Sequence, residues 1–113
     1  MHEMAITESI FSIVMDYAKE KKATKVKKIN LRIGKMTGIV EDCIMFYFET
    51  ISKGTIAENA EIKVNSIPVK GRCGSCNKEF NAKDMIPICP YCSSMACAII
   101  GGKELEVESI EVE

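Results

Sequence analysis

Tryptophan is absent from this chain, histidine occurs once, proline three times, and neither sign of charge dominates. Each shortage removes a class of function. With 15 basic against 16 acidic side chains the formal net charge is −1, so no basic excess draws the chain to a phosphate backbone. The lone histidine, His2, has no serine or cysteine paired with it, which leaves no triad for hydrolytic catalysis and argues against an enzyme. There is no run of 18 apolar residues, no low-complexity tract and no internal repeat beyond two cysteine turns, so a soluble globular protein with no membrane partner is expected. Where a secretory signal would place an apolar run, the chain has His2 and Glu3. A reducing, cytoplasmic setting is therefore expected.

Cysteine is the exception to this thinness, at six in 113 residues. Four of them form C-G-S-C at Cys73 and Cys76 and C-P-Y-C at Cys89 and Cys92, with twelve residues between the two turns. A C-x-x-C turn presents two sulfurs from one tight loop, and two such turns close a tetrahedron around one Zn²⁺ at about 2.3 Å per bond. The intervening stretch suffices for a β-hairpin that brings both loops to one end. Three other readings compete. Disulfides suit an oxidising compartment, which the start of the chain does not suggest. A thioredoxin-like redox pair needs one such turn and there are two. Iron accepts the same four sulfurs, and colour in the purified protein separates it from zinc. Four thiolates would also close the metal's coordination and leave no water to activate. In a chain of 12.5 kDa there is room for one small core, so a second module of about 35 residues needs a staple such as a metal.

The remainder supplies the frame. Ile6, Ile10, Ile13, Val14 and Tyr17 fall on one face of a helix running from about Met4 to Lys21, with Phe11, Met15 and Ala18 as a second apolar strip. Lys19, Lys21 and Lys22 suit its carbonyl end. The period then drops to two at Ile29, Leu31 and Ile33, a strand over residues 28–33. The stretch Gly34 to Gly38 reads as a loop and not as a phosphate cradle. A second helix fits Glu41 to Ser52, with Glu41 and Asp42 in its first turn and Cys43 as a small core side chain. Strands follow at 60–68 and 104–112, and each changes parity partway: Ile62 and Val64 are even but Ile67 and Val69 odd, while Leu105 and Val107 are odd but Ile110 and Val112 even. Holding such a strand to one apolar face needs an extra residue, so β-bulges are expected near Asn65-Ser66 and Glu108-Ser109. The last strand's acidic face finds cross-strand partners in Arg32 and Lys63.

These elements make an α+β fold, two helices on one face of a small three-stranded sheet, with a zinc-ribbon-like module inserted. The division expected is 1–68 with 104–113 for the α+β domain and 69–103 for the module, hinged at Gly101-Gly102 and at Pro68 to Gly71. Such an insertion suits domain swapping and so a homodimer. At the N-terminus, the α-amine, the backbone nitrogen and imidazole of His2 and the backbone nitrogen of Glu3 can make four nitrogen donors in a plane, which suits Ni(II) or Cu(II) and not tetrahedral zinc. The plainer reading is a histidine at a frayed end.

Taken together, Met1-His2-Glu3, Leu31-Arg32-Ile33-Gly34, Phe46-Tyr47-Phe48-Glu49 and the two cysteine turns resemble the HypA family, the nickel metallochaperones of [NiFe] hydrogenase maturation, over essentially the whole chain. The resemblance implies a nickel site at Met1, His2 and Glu3, with Ni²⁺ as cargo, and a structural Zn²⁺ at Cys73, Cys76, Cys89 and Cys92. It also implies two partners, the GTPase HypB and the hydrogenase large subunit. Some family members carry a histidine within or just after the zinc module; this chain has Ser93, Ser94 and Cys97 there. The rival reading is a zinc-ribbon module that binds nucleic acid or protein, for which a basic stripe would be the sign.

Overall fold

The computed structural model describes residues 2–82 and 88–113. Its elements are α1 (Glu3–Glu20), β1 (Val26–Gly34), α2 (Glu41–Ser52), β2 (Glu61–Ile67), β3 (Lys70–Cys73), β4 (Glu79–Asn81), β5 (Cys97–Gly101) and β6 (Leu105–Val112), with a short 3₁₀ turn at Lys35–Thr37. They group into two compact units. The first comprises Met1–Arg32, Ile39–Asn65 and Glu106–Glu113, the second Ile33–Gly38 and Ser66–Leu105.

In the first unit the expected α+β layering is present. The strand order β2-β1-β6 puts β1 in the middle, and its Ile29 and Leu31 are buried on one side while Asn30 and Arg32 stay partly exposed on the other. On the apolar side α1 runs beside β6, where Ile13 and Tyr17 border Val107 and Ile110, and α2 runs beside β2, where Met45 and Phe48 border Ile62. The helices meet through Phe11 and Phe48, ring centroids 5.9 Å apart and edge to face. Each fully buried side chain of this kind stabilises the unit by roughly 1.5–3 kcal/mol.

The buried stripe of α1 is Thr7, Ile10, Val14 and Ala18, whereas Ile13, expected on it, is 52% exposed. Thr7 can be buried because its hydroxyl donates to the Glu3 carbonyl at 2.6 Å, which leaves no polar atom wanting a partner. Hydropathy alone does not register that satisfaction, so the sequence-based stripe is rotated toward Ile13.

The parity slip in β6 has the expected consequence. Glu108 and Ser109 are consecutive, yet both reach the polar face of β1, Glu108 toward Arg32 at 3.6 Å and Ser109 to the Asn30 amide at 2.8 Å. Two successive residues of a regular strand point to opposite faces, so this arrangement is what an inserted residue produces. Arg32 also holds Glu106 at 2.6 Å. In β2 the half-buried positions likewise change from Ile62 and Val64 to Ile67.

The second unit is built on an antiparallel sheet of order β4-β3-β5, in which Arg72 faces Glu79 on one side and Cys73 faces Cys97 on the other. β5 was not anticipated from the sequence. The segment after β1 belongs here, because the Gly34 N–H donates to Glu104 O at 2.7 Å and the Met36 N–H to Gly102 O at 2.8 Å. The glycines expected to be hinges are instead close-packed: a Cβ on Gly71 would lie 2.8 Å from the Phe80 ring, and one on Gly102, whose φ is +104°, would lie 2.8 Å from Val69 Cα. Absence of a side chain serves packing at both positions. Among the described residues no helix is long and apolar enough to cross a membrane.

Candidate metal sites

Two knuckles with the same backbone present the four cysteines. Cys73 closes β3, its carbonyl accepts the Asn77 N–H at 3.0 Å, and its own N–H donates to Lys78 O at 2.9 Å. Sixteen residues later Cys89 repeats both bonds, with Ser93 at 2.8 Å and Ser94 at 3.0 Å. In each knuckle the residue after the second cysteine takes a left-handed backbone, Asn77 at φ 63° and Ser93 at φ 60°. Asparagine tolerates that region well and serine less so. The Ser75 and Ser94 hydroxyls lie 3.1 Å apart, and the Lys78 ammonium stands 4.7 Å from the Tyr91 ring centroid, so the two turns hold each other from outside the sulfur cluster.

All four Sγ atoms lie within 4.8 Å of one another. Cys73 and Cys92 are 3.5 Å apart and Cys76 and Cys89 3.6 Å, each pair joining one knuckle to the other. A tetrahedron with bonds of about 2.3 Å has edges of about 3.8 Å, so the two short pairs lie just under that length, and a set whose every separation is within 4.8 Å fits a zinc ion after small adjustments. Cys73 and Cys89 are buried, Cys76 is intermediate and Cys92 exposed.

Electrostatics divide the four into two lowered and two raised thiols. The Cys76 and Ser75 N–H groups aim at the Cys73 sulfur and hold its thiol down at about 6 against the burial that opposes ionisation. Burial raises Cys89 as well, but the Cys92 and Tyr91 N–H groups outweigh it and the net direction is down. At Cys92 the Ser94 N–H lowers the value, yet the Cys73 sulfur and burial prevail and push it up to about 12. Cys76 moves up in the same manner, the lowering by the Lys78 N–H being overcome by burial and by Cys89. Each close sulfur pair thus sets a lowered thiol against a raised one, and a divalent cation must displace whatever protons the four still hold.

Cys97 was not included in the sequence-based ligand set and is not among the four clustered sulfurs. It nevertheless packs against them, opposite Cys73 across the β3–β5 ladder, with its sulfur 3.5 Å from the Ser94 carbonyl. Burial, then the adjacent Cys73, pushes its thiol up. Register could have revealed this contact, but only once β5 was known. Cys43 lies apart, in the first turns of α2.

The other candidate set lies in the first unit. Met1 falls outside the described residues. His2 is exposed and is the N-cap of α1, with its carbonyl accepting the Ile6 N–H at 3.0 Å, and Glu3 is the first helical residue. Amides this early in a helix have no partner four residues back. The nitrogens of His2 and Glu3 can therefore be given to a metal without breaking any helical hydrogen bond. The Glu3 carboxylate accepts the Val40 N–H at 3.2 Å, which, followed by its own N–H, holds the carboxyl below the usual range.

Comparison with known proteins gives the family. The profile of HypA, "Hydrogenase/urease nickel incorporation, metallochaperone, hypA", matches residues 1–112. The hydrogenase maturation factor HypA of Picosynechococcus is 38% identical over 99% of both chains, and that of Dehalococcoides mccartyi strain CBDB1 is 40% identical over 100% of this chain and 95% of its own. In fold the chain is similar to the solution structure of the nickel metallochaperone HypA from Helicobacter pylori, at 23% identity, TM-score 0.67 and coverage of 99% and 97%. A second solution structure, of a HypA protein, is 25% identical with TM-score 0.73, covering 100% of this chain and 97% of that one. The chain belongs to the HypA family of nickel metallochaperones that serve hydrogenase maturation.

Proposed function

We propose that this chain is a non-enzymatic carrier that binds one Ni(II) at its N-terminus and passes it to the hydrogenase large subunit in concert with the GTPase HypB, in the cytoplasm. The donors are the α-amine of Met1, the backbone and imidazole nitrogens of His2 and the backbone nitrogen of Glu3, a planar nitrogen set that suits Ni(II). The observation that carries this reading is the exposed His2 at the start of α1, where the amides have no helical partner to lose. Cys73, Cys76, Cys89 and Cys92 would hold a structural Zn²⁺, whose binding supplies folding energy to residues 69–103. Residues 1–68 and 104–113 would carry the nickel.

A carrier must release what it holds. An exposed chelate whose amine and amides take protons back can be opened by a partner, as a closed cage of four thiolates cannot. Calorimetric nickel titration of zinc-loaded protein tests the assignment. The untagged chain should bind one Ni(II), while His2→Ala and an N-terminally extended chain should bind none tightly and keep their zinc. Nickel bound equally well by the extended chain would place the site elsewhere. As a carrier, the protein should form a complex with HypB and with the large subunit; sedimentation would report both and would also reveal a homodimer.

A further inference from the structure

α2 begins without a cap of its own. Its N-cap residue is Val40, in extended backbone at φ −88° and ψ 111°, and no side chain of α2 bonds back to the helix start. Valine has no oxygen to offer, and the third helical residue, where a capping-box glutamate would reach back to the N-cap N–H, is Cys43. The Val40 N–H is met instead from α1, by the Glu3 carboxylate at 3.2 Å. A carboxylate there also lies at the positive end of the α2 dipole.

Glu3 is held at a second point. Its carbonyl accepts the Thr7 hydroxyl at 2.6 Å, and Thr7 is fully buried. The preceding carbonyl, of His2, accepts the Ile6 N–H at 3.0 Å. These three bonds fix the oxygens of His2 and Glu3 while leaving the backbone nitrogens of both residues facing no helical acceptor. We infer that the Glu3 side chain is a positioning group and not a nickel ligand: by bonding to Val40 it ties the start of α1, and the nitrogen donors there, to the start of α2. Nickel then meets donors already set in place, and the ordering cost of closing the chelate is reduced. This rests on the nickel reading above for its consequence, but not for the tether itself.

Glu3→Gln and Glu3→Ala separate the possibilities. Glutamine keeps an oxygen that can accept from Val40 but is a poor metal ligand, whereas alanine keeps neither property. In nickel-free, zinc-loaded protein, amide hydrogen exchange at Val40 should accelerate in Glu3→Ala and stay slow in Glu3→Gln. Nickel affinity should fall by about tenfold in Glu3→Ala, the worth of one charge-assisted hydrogen bond, and by about twofold or less in Glu3→Gln. The number of nitrogen and oxygen neighbours around nickel, by X-ray absorption, should be the same in all three proteins. Unchanged Val40 exchange in Glu3→Ala overturns the tether whatever nickel does. Equal loss of affinity in both variants, with one light neighbour missing, makes the carboxylate a ligand and overturns the positioning role. His2→Ala is the control on the underlying reading: stoichiometric nickel in that variant overturns the terminal site and with it the consequence for nickel, while the Val40 exchange still decides the hydrogen bond.

Discussion

The two candidate metal sites are built on opposite terms. At the cysteine cluster every donor is a side chain, two of the four are buried, and the main chain serves the sulfurs by pointing N–H groups at them. At the proposed N-terminal site most of the donors would be the main chain itself, and side chains serve it, Thr7 by bonding to the Glu3 carbonyl and Glu3 by accepting from the Val40 N–H. Their unit stability differs to match. The first unit has an apolar core of Ile10, Val14, Ile29, Leu31, Ile44 and Phe48, whereas the buried cluster around the sulfurs is Cys73, Phe80 and Cys89 with Cys76, Ala82 and Cys97 packed against it. The first unit has the larger buried apolar core; in the second, two of the buried residues, Cys73 and Cys89, are themselves candidate metal ligands.

The largest test of this contrast is Cys89→Ala. It removes a buried donor from a site whose zinc binding is worth roughly 10–16 kcal/mol in small zinc domains, so zinc content should fall to near zero and residues 69–103 should lose their ordered amide dispersion while the helical circular dichroism of α1 and α2 persists. Full zinc occupancy would break the comparison outright.

Phe48→Ala is the converse. It cuts the edge-to-face contact with Phe11 and should cost about 3–5 kcal/mol in chemical denaturation of the first unit, with zinc remaining at one per chain. Loss of zinc in this variant would mean that the two units do not stand on separate supports.

Acidity sharpens the contrast next. An α-amine ordinarily titrates near 8, so protons compete with nickel from about pH 8 downward for the amine and for each ionised amide. Among the cysteines Cys73 is lowered to about 6 and Cys92 raised to about 12, so zinc is kept by the affinity of four thiolates acting together and not by any one thiol. Stepwise dialysis should therefore release nickel first, from about pH 8 downward, and zinc only at lower pH, each read as metal per chain. Simultaneous loss would contradict it.

The smallest effect belongs to the remaining thiols. Replacing Cys43 and Cys97 together by Ala should leave zinc at one per chain, because four sulfurs already fill a tetrahedron, and should cost only about 1 kcal/mol of packing. Zinc loss in the double variant would bring Cys97 into the ligand set.

How much of this was legible beforehand depended on how local the determinant was. The limits of α2, the cysteine knuckles and the parity slip in β6 are written in spacings of a few residues, and sequence finds such spacings. Thr7 in the core, the Cys73–Cys97 pairing and the Glu3–Val40 bond are not local in that sense. The first depends on a hydroxyl finding a carbonyl, the second on the register of a strand 24 positions away, the third on a bond spanning 37 positions. The glycines show the same limit. Their lack of a side chain suggests freedom when read alone, yet Gly71 and Gly102 are confined by neighbours that only the fold brings near.

The amides at the start of α1, which have no helical acceptor, carry a consequence for mutagenesis of the proposed nickel site. A donor that is a peptide nitrogen survives every substitution except proline, so a conventional alanine scan reads His2 and passes over Glu3 as a donor. Glu3→Pro compared with Glu3→Ala reaches it: both lack the carboxylate, the first helical position accepts proline's fixed φ and missing N–H, and only with proline would the chelate lose a tooth. Acetylation of the terminus would remove another while leaving every encoded residue as it was.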